Sequence, residues 1–408
     1  MTARFAEGAR ASSPARARPG TFRYSGGMNQ NSTDLMGVAR LMRRAANGES
    51  LPDLFNLAAQ NPDPANMLMG LSCAFQLLGK RDAALELQDK ALAIGRIYRL
   101  PAEAAPPAIR LLALMRPGDM QDNTPLDFLL EASDVELILL YVSREHPIPA
   151  EIPEHDLLFV AIGESCENAK LLAEIGERIE TWQRPVINLP EKIMRLSRDR
   201  ASALLSSVEG LVVPIAKRMG RCELAEVAEG FPFILRPLDS HAGQDLEKLE
   251  APRDIEDYLS RIGGEEFYLA KFMDYRSPDG LFRKYRIAMV DGRAHPCHMA
   301  ISGEWMVNYR NAGMTESIGK RIEEEKFMAE FESDFAVRHE AALREIHRRI
   351  GLDYFVVDCG ELDGKLLLFE LDNRAFVHDM DSREIFPYKG PAMRRLLTAF
   401  RSMLGKRC

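Results

Sequence analysis

From Ser32 to about Pro101, apolar residues recur at helical spacing and at no other. Leu35, Val38, Leu41 and Met42 form one stripe, and a second runs through NMLMGLSCAFQLLGKRDAALELQDKALAI between Asn66 and Ile94. Gly79 divides the second run into a helix pair, with Ala84 and Ala91 small where the two helices would pack. The rhythm then changes. Between residues 106 and 190 the short apolar runs IRLLALM (109–115), VELILLYV (135–142), DLLFVAI (156–162) and RPVINL (184–189) alternate with helical stretches at 124–132 and 167–180. Such alternation predicts a small open α/β sheet with right-handed crossovers. Residues 191–408 carry longer β-rich runs, two of them paired around Asp291-Gly292 and two around Asp363-Gly364, which read as hairpins. The predicted fold class is therefore α/β: an α+β core over 191–408, a small open α/β domain over 106–190 and an α-helical segment over 32–105.

Composition constrains partners more than chemistry. The 408 residues suffice for two to four domains, and 46% hydrophobic with 28% charged is ordinary globular usage. A net charge of −8 offers nothing global to nucleic acid or an anionic membrane, and no apolar run approaches the roughly 20 residues of a membrane span. The six cysteines (Cys73, Cys166, Cys222, Cys297, Cys359, Cys408) lack CxxC spacing, the usage of a reducing compartment. The expectation is a cytoplasmic protein that binds neither nucleic acid nor membrane. Residues 1–27 set Arg4, Arg10, Arg16, Arg18 and Arg23 against one acid, Glu7, without an amphipathic stripe. Residues 1–31 are read as a disordered tail, or as residues ahead of a start at Met28, with a targeting segment as the alternative.

The candidate chemistry lies between Arg236 and Asp381. FPFILRPLDSHAGQDLEKL (231–249) is a strand ending in Arg236, followed by a small polar loop, Ser240–Gly243, containing His241. Backbone N–H groups of such a loop can wrap terminal phosphates while the cation holds an inner one. EEFYLAKFMDY (265–275) is an apolar strand whose end, Lys271-Phe272, leads into a linker suited to an adenine slot. In GLFRKYRIAMVDGRAHPCHMAI (280–301), Arg283, Lys284 and Arg286 lie close together, and two of the three share a face. The fourth element is LDYFVVDCGELDGKLLLFELDNRAFVHDMD (352–381), with Asp358 on one strand and Glu370 and Asp372 two apart on the other. Acids inside apolar strands are costly unless neutralised, and Mg²⁺ uses one or two carboxylates completed by phosphate oxygens. For Asp358 and Glu370 to converge, the hairpin loop must hold an odd number of residues, three being the natural count. Strand-end loops of the small domain, Pro117-Gly118-Asp119, Ser143-Arg144 and Gly163-Glu164-Ser165, are placed for substrate contact. His295-Pro296-Cys297-His298 lacks the second cluster that a zinc site needs. Glu323-Glu324-Glu325 reads as the solvated start of a helix running to Ile350.

The order of these parts resembles the ATP-grasp superfamily over roughly residues 185–408, and within it the RimK and glutathione-synthetase-like ligases. Residues 66–94 resemble one tetratricopeptide repeat through Leu71, Phe75, Gly79, Ala84 and Ala91. A docking surface for a protein partner and a helical cap on the next domain both remain open for that segment. The resemblance implies Mg-ATP as cofactor, with Arg236, Ser240, His241, Gly243, Lys271, Phe272, Arg283 and Arg286 around the nucleotide. It implies Asp358 and Glu370 as magnesium ligands with Asp372 or Asn373 as a third, and Arg236, Arg286 and Asn308 as catalytic groups. Asn308 ends the segment GEWMVNYRNAGM (303–314), which resembles the family's phosphate-proximal stretch. Two departures stand out: Arg236 replaces the usual Lys, and Glu370-Leu371-Asp372 replaces Glu-x-Asn. The activity implied is formation of an acylphosphate from a small-molecule or peptide carboxylate and its capture by an amine. A small-molecule kinase and a nucleotide-gated binding protein are the alternatives.

Overall fold

The computed structural model describes residues 34–240, 243–309 and 312–408, so the expected tail at 1–31 lies outside the described residues. The chain divides into two compact units, Met1–Gly95 and Arg96–Cys408. In the first, helices α1 (Val38–Ala46), α2 (Leu51–Ala59), α3 (Pro64–Leu77) and α4 (Arg81–Ile94) follow the helical periodicity. Ser50 and Asp63 cap α2 and α3 through their side-chain oxygens. Gly79, at φ 67°, makes the α3–α4 turn, and Ala84 and Ala91 are fully buried where small side chains let helices approach.

The second unit is a mixed α/β fold of three sheets. The first sheet contains β1 (Ile97–Leu100), β2 (Ile109–Met115), β3 (Val135–Tyr141), β4 (Leu157–Val160) and β5 (Val186–Ile187), in the order β1-β3-β2-β4-β5. Strands β2 to β5 are parallel; helices α5 (Leu126–Leu129) and α6 (Ala169–Ile179) form part of their crossovers. Four of these strands were legible as apolar runs. The antiparallel edge β1 was not: IYRL is too short to show a period, although Tyr98 is buried against Tyr141.

After α7 (Pro190–Ile193), a 3₁₀ turn and α8 (Arg198–Leu205), the chain enters two further sheets. The smaller is antiparallel, β7-β10-β8-β9, built from β7 (Lys217–Gly220), β8 (Phe233–Pro237), β9 (Glu247–Leu249) and β10 (Glu266–Lys271). Helices α9 (Arg221–Ala225) and α10 (Pro252–Arg261) accompany it, and Leu224, Leu235, Ile255, Tyr258 and Phe267 form a core of their own. The larger sheet runs β12-β11-β13-β14-β6, from β6 (Leu211–Val212), β11 (Phe282–Val290), β12 (Arg293–Ser302), β13 (Tyr354–Leu362) and β14 (Lys365–Asp372).

The helix expected to run from residue 323 to Ile350 is three: α11 (Ile318–Glu330), α12 (Phe335–Arg338) and α13 (Glu340–Ile350). Its acidic start is not solvated throughout either. Glu324 is fully buried, accepting hydrogen bonds from Met299 N–H (3.1 Å), Tyr309 OH (3.1 Å) and Tyr388 OH (2.6 Å). Charge count alone could not reveal that the middle acid of the run turns inward. The last helix, α14 (Lys389–Arg407), joins the first sheet and the sheet containing β13: Phe400 packs on Phe159 of β4 and Tyr354 of β13, and Arg401 pairs with Asp134 at 2.5 Å. Asn188, just after β5, donates to Tyr354 C=O (2.8 Å) and accepts from Asp353 and Tyr354 N–H (3.0 Å each). These ties hold the first sheet against the start of β13.

Candidate functional site

Register builds the site. His298 on β12 is opposite Arg286 on β11, Arg286 is opposite Asp358 on β13, and Asp358 is opposite Glu370 on β14. Directly opposed residues share a face, so four strands present one transverse row, His298–Arg286–Asp358–Glu370. The expected three-residue hairpin loop is not what achieves this. Leu362 pairs with Lys365, leaving a two-residue turn with Asp363 at φ 51° and Gly364 at φ 73°, both in the left-handed region. A regular ladder from that turn would set Phe369 opposite Asp358. A bulge beyond Cys359 leaves Phe369 unmatched and brings Glu370 into register. Phe369 packs on Tyr275, at a ring distance of 4.9 Å, and over Gly360, whose missing Cβ makes the room.

Two cations hold Asp358. Arg286 grips both carboxylate oxygens at 2.8 Å, and Lys284, two residues along the same face, reaches one at 2.7 Å. Burial pushes this carboxyl up, but Arg286 and then Lys284 outweigh it and hold it well below the usual carboxylate range. Arg283 points to the opposite face, where it pairs with Asp279 at 2.7 Å and with Glu323, so it does not join the site. The trio therefore contributes Lys284 and Arg286; alternation along β11 decides which two.

Glu370 accepts a 2.5 Å hydrogen bond from Arg198 at the start of α8. Its carboxyl is likewise held low, with Arg198 and then Arg236 opposing the effect of burial. Arg236 lies near the end of β8, buried, with Nε donating to Ser240 Oγ at 2.9 Å and Nη2 donating to Ser240 C=O. Burial and the neighbouring Arg198 lower its pKa to about 10. Ser240 is thus bound to its own strand-end cation. Gly243, at φ 79°, has space for no more than a close contact, since a Cβ there would lie 3.3 Å from Met306 Sδ. His241 lies outside the described residues.

The remaining expected residues fall around this row. Lys271 donates to the carbonyls of Gly230 and Phe231, the latter at 3.0 Å, which directs it toward the 230–231 turn. Phe272 is buried, edge-on to Trp305 at 5.6 Å, with the Lys248 ammonium 4.2 Å from its ring centre. Asn308 precedes Tyr309, whose ring lies 4.5 Å from that of His298 and whose hydroxyl bonds Glu324 and Lys389. Asp372 accepts the backbone N–H of Arg374 at 2.7 Å. Asn373 is fully buried: its amide donates to Ile162 C=O at 3.0 Å and accepts from Glu164 N–H at 3.3 Å. Both ends of that side chain serve to join β14 to the loop after β4.

Sequence reasoning did not single out Arg198 or Arg374, and placed Glu164 only in a strand-end loop. An arginine opening a polar helix carries no distinguishing pattern; only the fold sets it against Glu370. Glu164 is half-buried, and its carboxyl is pushed up to about 7, by burial first and then by Asp239 and Asp372 against the pull of Arg374 and Arg198. Among the described residues no three His, Cys, Asp or Glu side chains gather closely enough to hold a metal ion by themselves. The two facing carboxylates Asp358 and Glu370 are a hard-oxygen donor pair of the kind that fits Mg²⁺ completed by phosphate oxygens.

No family model and no curated protein matches this sequence. Among solved structures, the chain is similar to a D-alanine–D-alanine ligase from Bacillus anthracis complexed with ATP (13% identity, TM-score 0.44, 74% of this chain and 98% of that one). It is similar also to a RimK domain ATP-grasp protein from Sphaerobacter thermophilus (16%, TM-score 0.40, 71% and 99%). A third is the ATP-grasp ligase PsnB complexed with a phosphomimetic variant of its minimal precursor, Mg and ADP (14%, TM-score 0.40, 72% and 98%).

Proposed function

We propose that this chain is an ATP-grasp enzyme that uses Mg-ATP to activate a substrate carboxylate as an acylphosphate and joins it to an amine. The observation that carries this reading is the transverse row with its flanking cations. Lys284, Arg286, Arg198 and Arg236 converge on Asp358 and Glu370 within otherwise apolar strands. Ion pairs in such surroundings gain little stability over well-packed apolar side chains, so their retention points to a ligand that exchanges with them. A triphosphate is that ligand: its oxygens take the arginines and lysine, and the freed carboxylates take the metal.

Asp358 and Glu370 would hold Mg²⁺, with Asp372 at the edge of the same strand; when bound, the ion neutralises phosphate charge. Arg286 and Lys284 would meet the terminal phosphates and Arg236 and Arg198 the inner ones, stabilising charge that develops during transfer. Phe272 and Trp305 offer apolar ring surface for the adenine. The substrate carboxylate attacks the terminal phosphorus and ADP leaves. The amine then attacks the acyl carbon and phosphate departs. No covalent nucleophile from the protein is required; its work is positioning, electrostatics and exclusion of water. The helical pair α3–α4 would serve as a tetratricopeptide-like docking surface.

The test is incubation with Mg-ATP, a pool of carboxylic acids and hydroxylamine, with ADP and hydroxamate followed by mass spectrometry. A hydroxamate formed only with ATP and acid together supports the ligase. ADP with a stable phosphorylated product and no hydroxamate identifies a kinase instead. Glu370→Gln, which keeps shape and removes one charge from the donor pair, should reduce turnover at least ~100-fold, as expected for loss of an interaction made in the transition state.

A further inference from the structure

Three acids of this cation-rich face have cations of their own. Asp358 has Lys284 and Arg286, Glu370 has Arg198, and Asp372 has Arg374. Glu164 breaks the pattern. It follows β4 in a loop whose backbone is fixed on every side. Gly163 N–H donates to Asp122 C=O (3.0 Å), Gly163 C=O accepts from Asn168 Nδ2 (2.8 Å), Glu164 N–H donates to Asn373 (3.3 Å) and Cys166 N–H donates to Asp239 (3.1 Å). Arg374 packs beneath this loop so closely that a Cβ at Gly163 would lie 1.7 Å from its Cδ. Yet among the described residues the half-buried carboxylate of Glu164 makes no hydrogen bond and no ion pair. It stands between the fields of Arg374 and Arg198 and those of Asp239 and Asp372.

A partly buried carboxylate without a partner is costly, and beside a polyphosphate it is repulsive. ATP is therefore not its ligand. A positively charged group satisfies both demands, and the reaction proposed above supplies one, because an amine arrives as its ammonium. We infer that Glu164 binds the ammonium group of the acceptor, which makes the acceptor a cationic primary amine. The inference rests on the ligase reading. The ammonium loses one proton to solvent, its nitrogen forms the bond to the acyl carbon, the carbon–oxygen bond to phosphate breaks, and the second proton leaves with the phosphate.

The experiment compares two acceptors on the full chain with Mg-ATP and the acid pool: ethylamine, charged at neutral pH, and hydroxylamine, largely uncharged there. In Glu164→Gln the ratio of kcat/KM for ethylamine to that for hydroxylamine should fall ~10–100-fold, the range for loss of a charge-assisted contact. Glu164→Asp should recover part of it. An equal loss with both acceptors would assign Glu164 a structural role and overturn the inference, as would no loss with either. A rise in the Mg²⁺ requirement with the acceptor ratio unchanged would make the Glu164 ligand a metal ion, and also overturn it. Absence of hydroxamate in the wild type would instead remove the ligase reading, and this inference with it.

Discussion

An unpaired carboxylate held for a ligand should weaken the free protein, and the cost can be worked out. The Glu164 carboxyl sits at about 7 in the folded chain against an ordinary value of 4.5. Between those values the folded chain binds the proton more tightly than the unfolded chain, so stability falls as pH rises through the window and stays low above it. At about 1.4 kcal/mol per pH unit, the full cost is about 3 kcal/mol above pH 7 and about 1.4 kcal/mol at pH 5.5. Glu164→Gln removes the charge and keeps the shape. Its stability advantage over the wild type should therefore widen by about 2 kcal/mol between pH 5.5 and pH 8.5. Urea titrations followed by tryptophan fluorescence suit this test, because both tryptophans, Trp182 and Trp305, belong to the unit containing Glu164. An advantage that does not change with pH would refute the reasoning, and a variant less stable at both values would show that the carboxylate has a partner after all.

Three further substitutions probe the row and its supports. Asp358→Asn leaves Arg286 and Lys284 without their counter-charge and should cost about 3–5 kcal/mol by urea titration, whereas Arg286→Met with Asp358→Leu should recover most of it. Asn373→Ala abandons Ile162 C=O and Glu164 N–H and should cost about 1–3 kcal/mol, with faster amide exchange at Gly163 and Glu164. Gly364→Ala forces a side chain into φ 73° in a two-residue turn and should destabilise by about 1 kcal/mol without altering nucleotide affinity.

What the sequence made legible was whatever depends on local period. The helical stripe expected from Ser32 to about Pro101, the strand at 109–115 and the two hairpins around Asp291-Gly292 and Asp363-Gly364 are local patterns, and each stands where the pattern put it except the end of the stripe, where Ile97–Leu100 is strand β1. The pairing of Asp358 with Glu370 was legible as a need but not as a geometry. The need follows from two acids in apolar strands. The means is an unmatched Phe369, and its reason is tertiary: the ring fills the space over Gly360 beside Tyr275. Nothing in the run LLLFELD distinguishes that phenylalanine from its neighbours.

The same distinction explains the cations. Arg286 was found because a hairpin strand alternates, and alternation also removes Arg283 once the face is known. Arg198 was not found because its partner is 172 residues away, across a helix–strand contact that no local pattern encodes. Glu324 and Asn373 reverse the lesson, since each looked like surface or site chemistry and serves packing. Glu324 turns inward to Tyr309 and Tyr388, and Asn373 spends its amide joining β14 to the loop after β4. A polar residue's type states what it can bond, whereas the fold decides whether those bonds are already made. By that criterion Glu164, whose carboxylate bonds no described residue, is a stronger pointer to a ligand than Asn373.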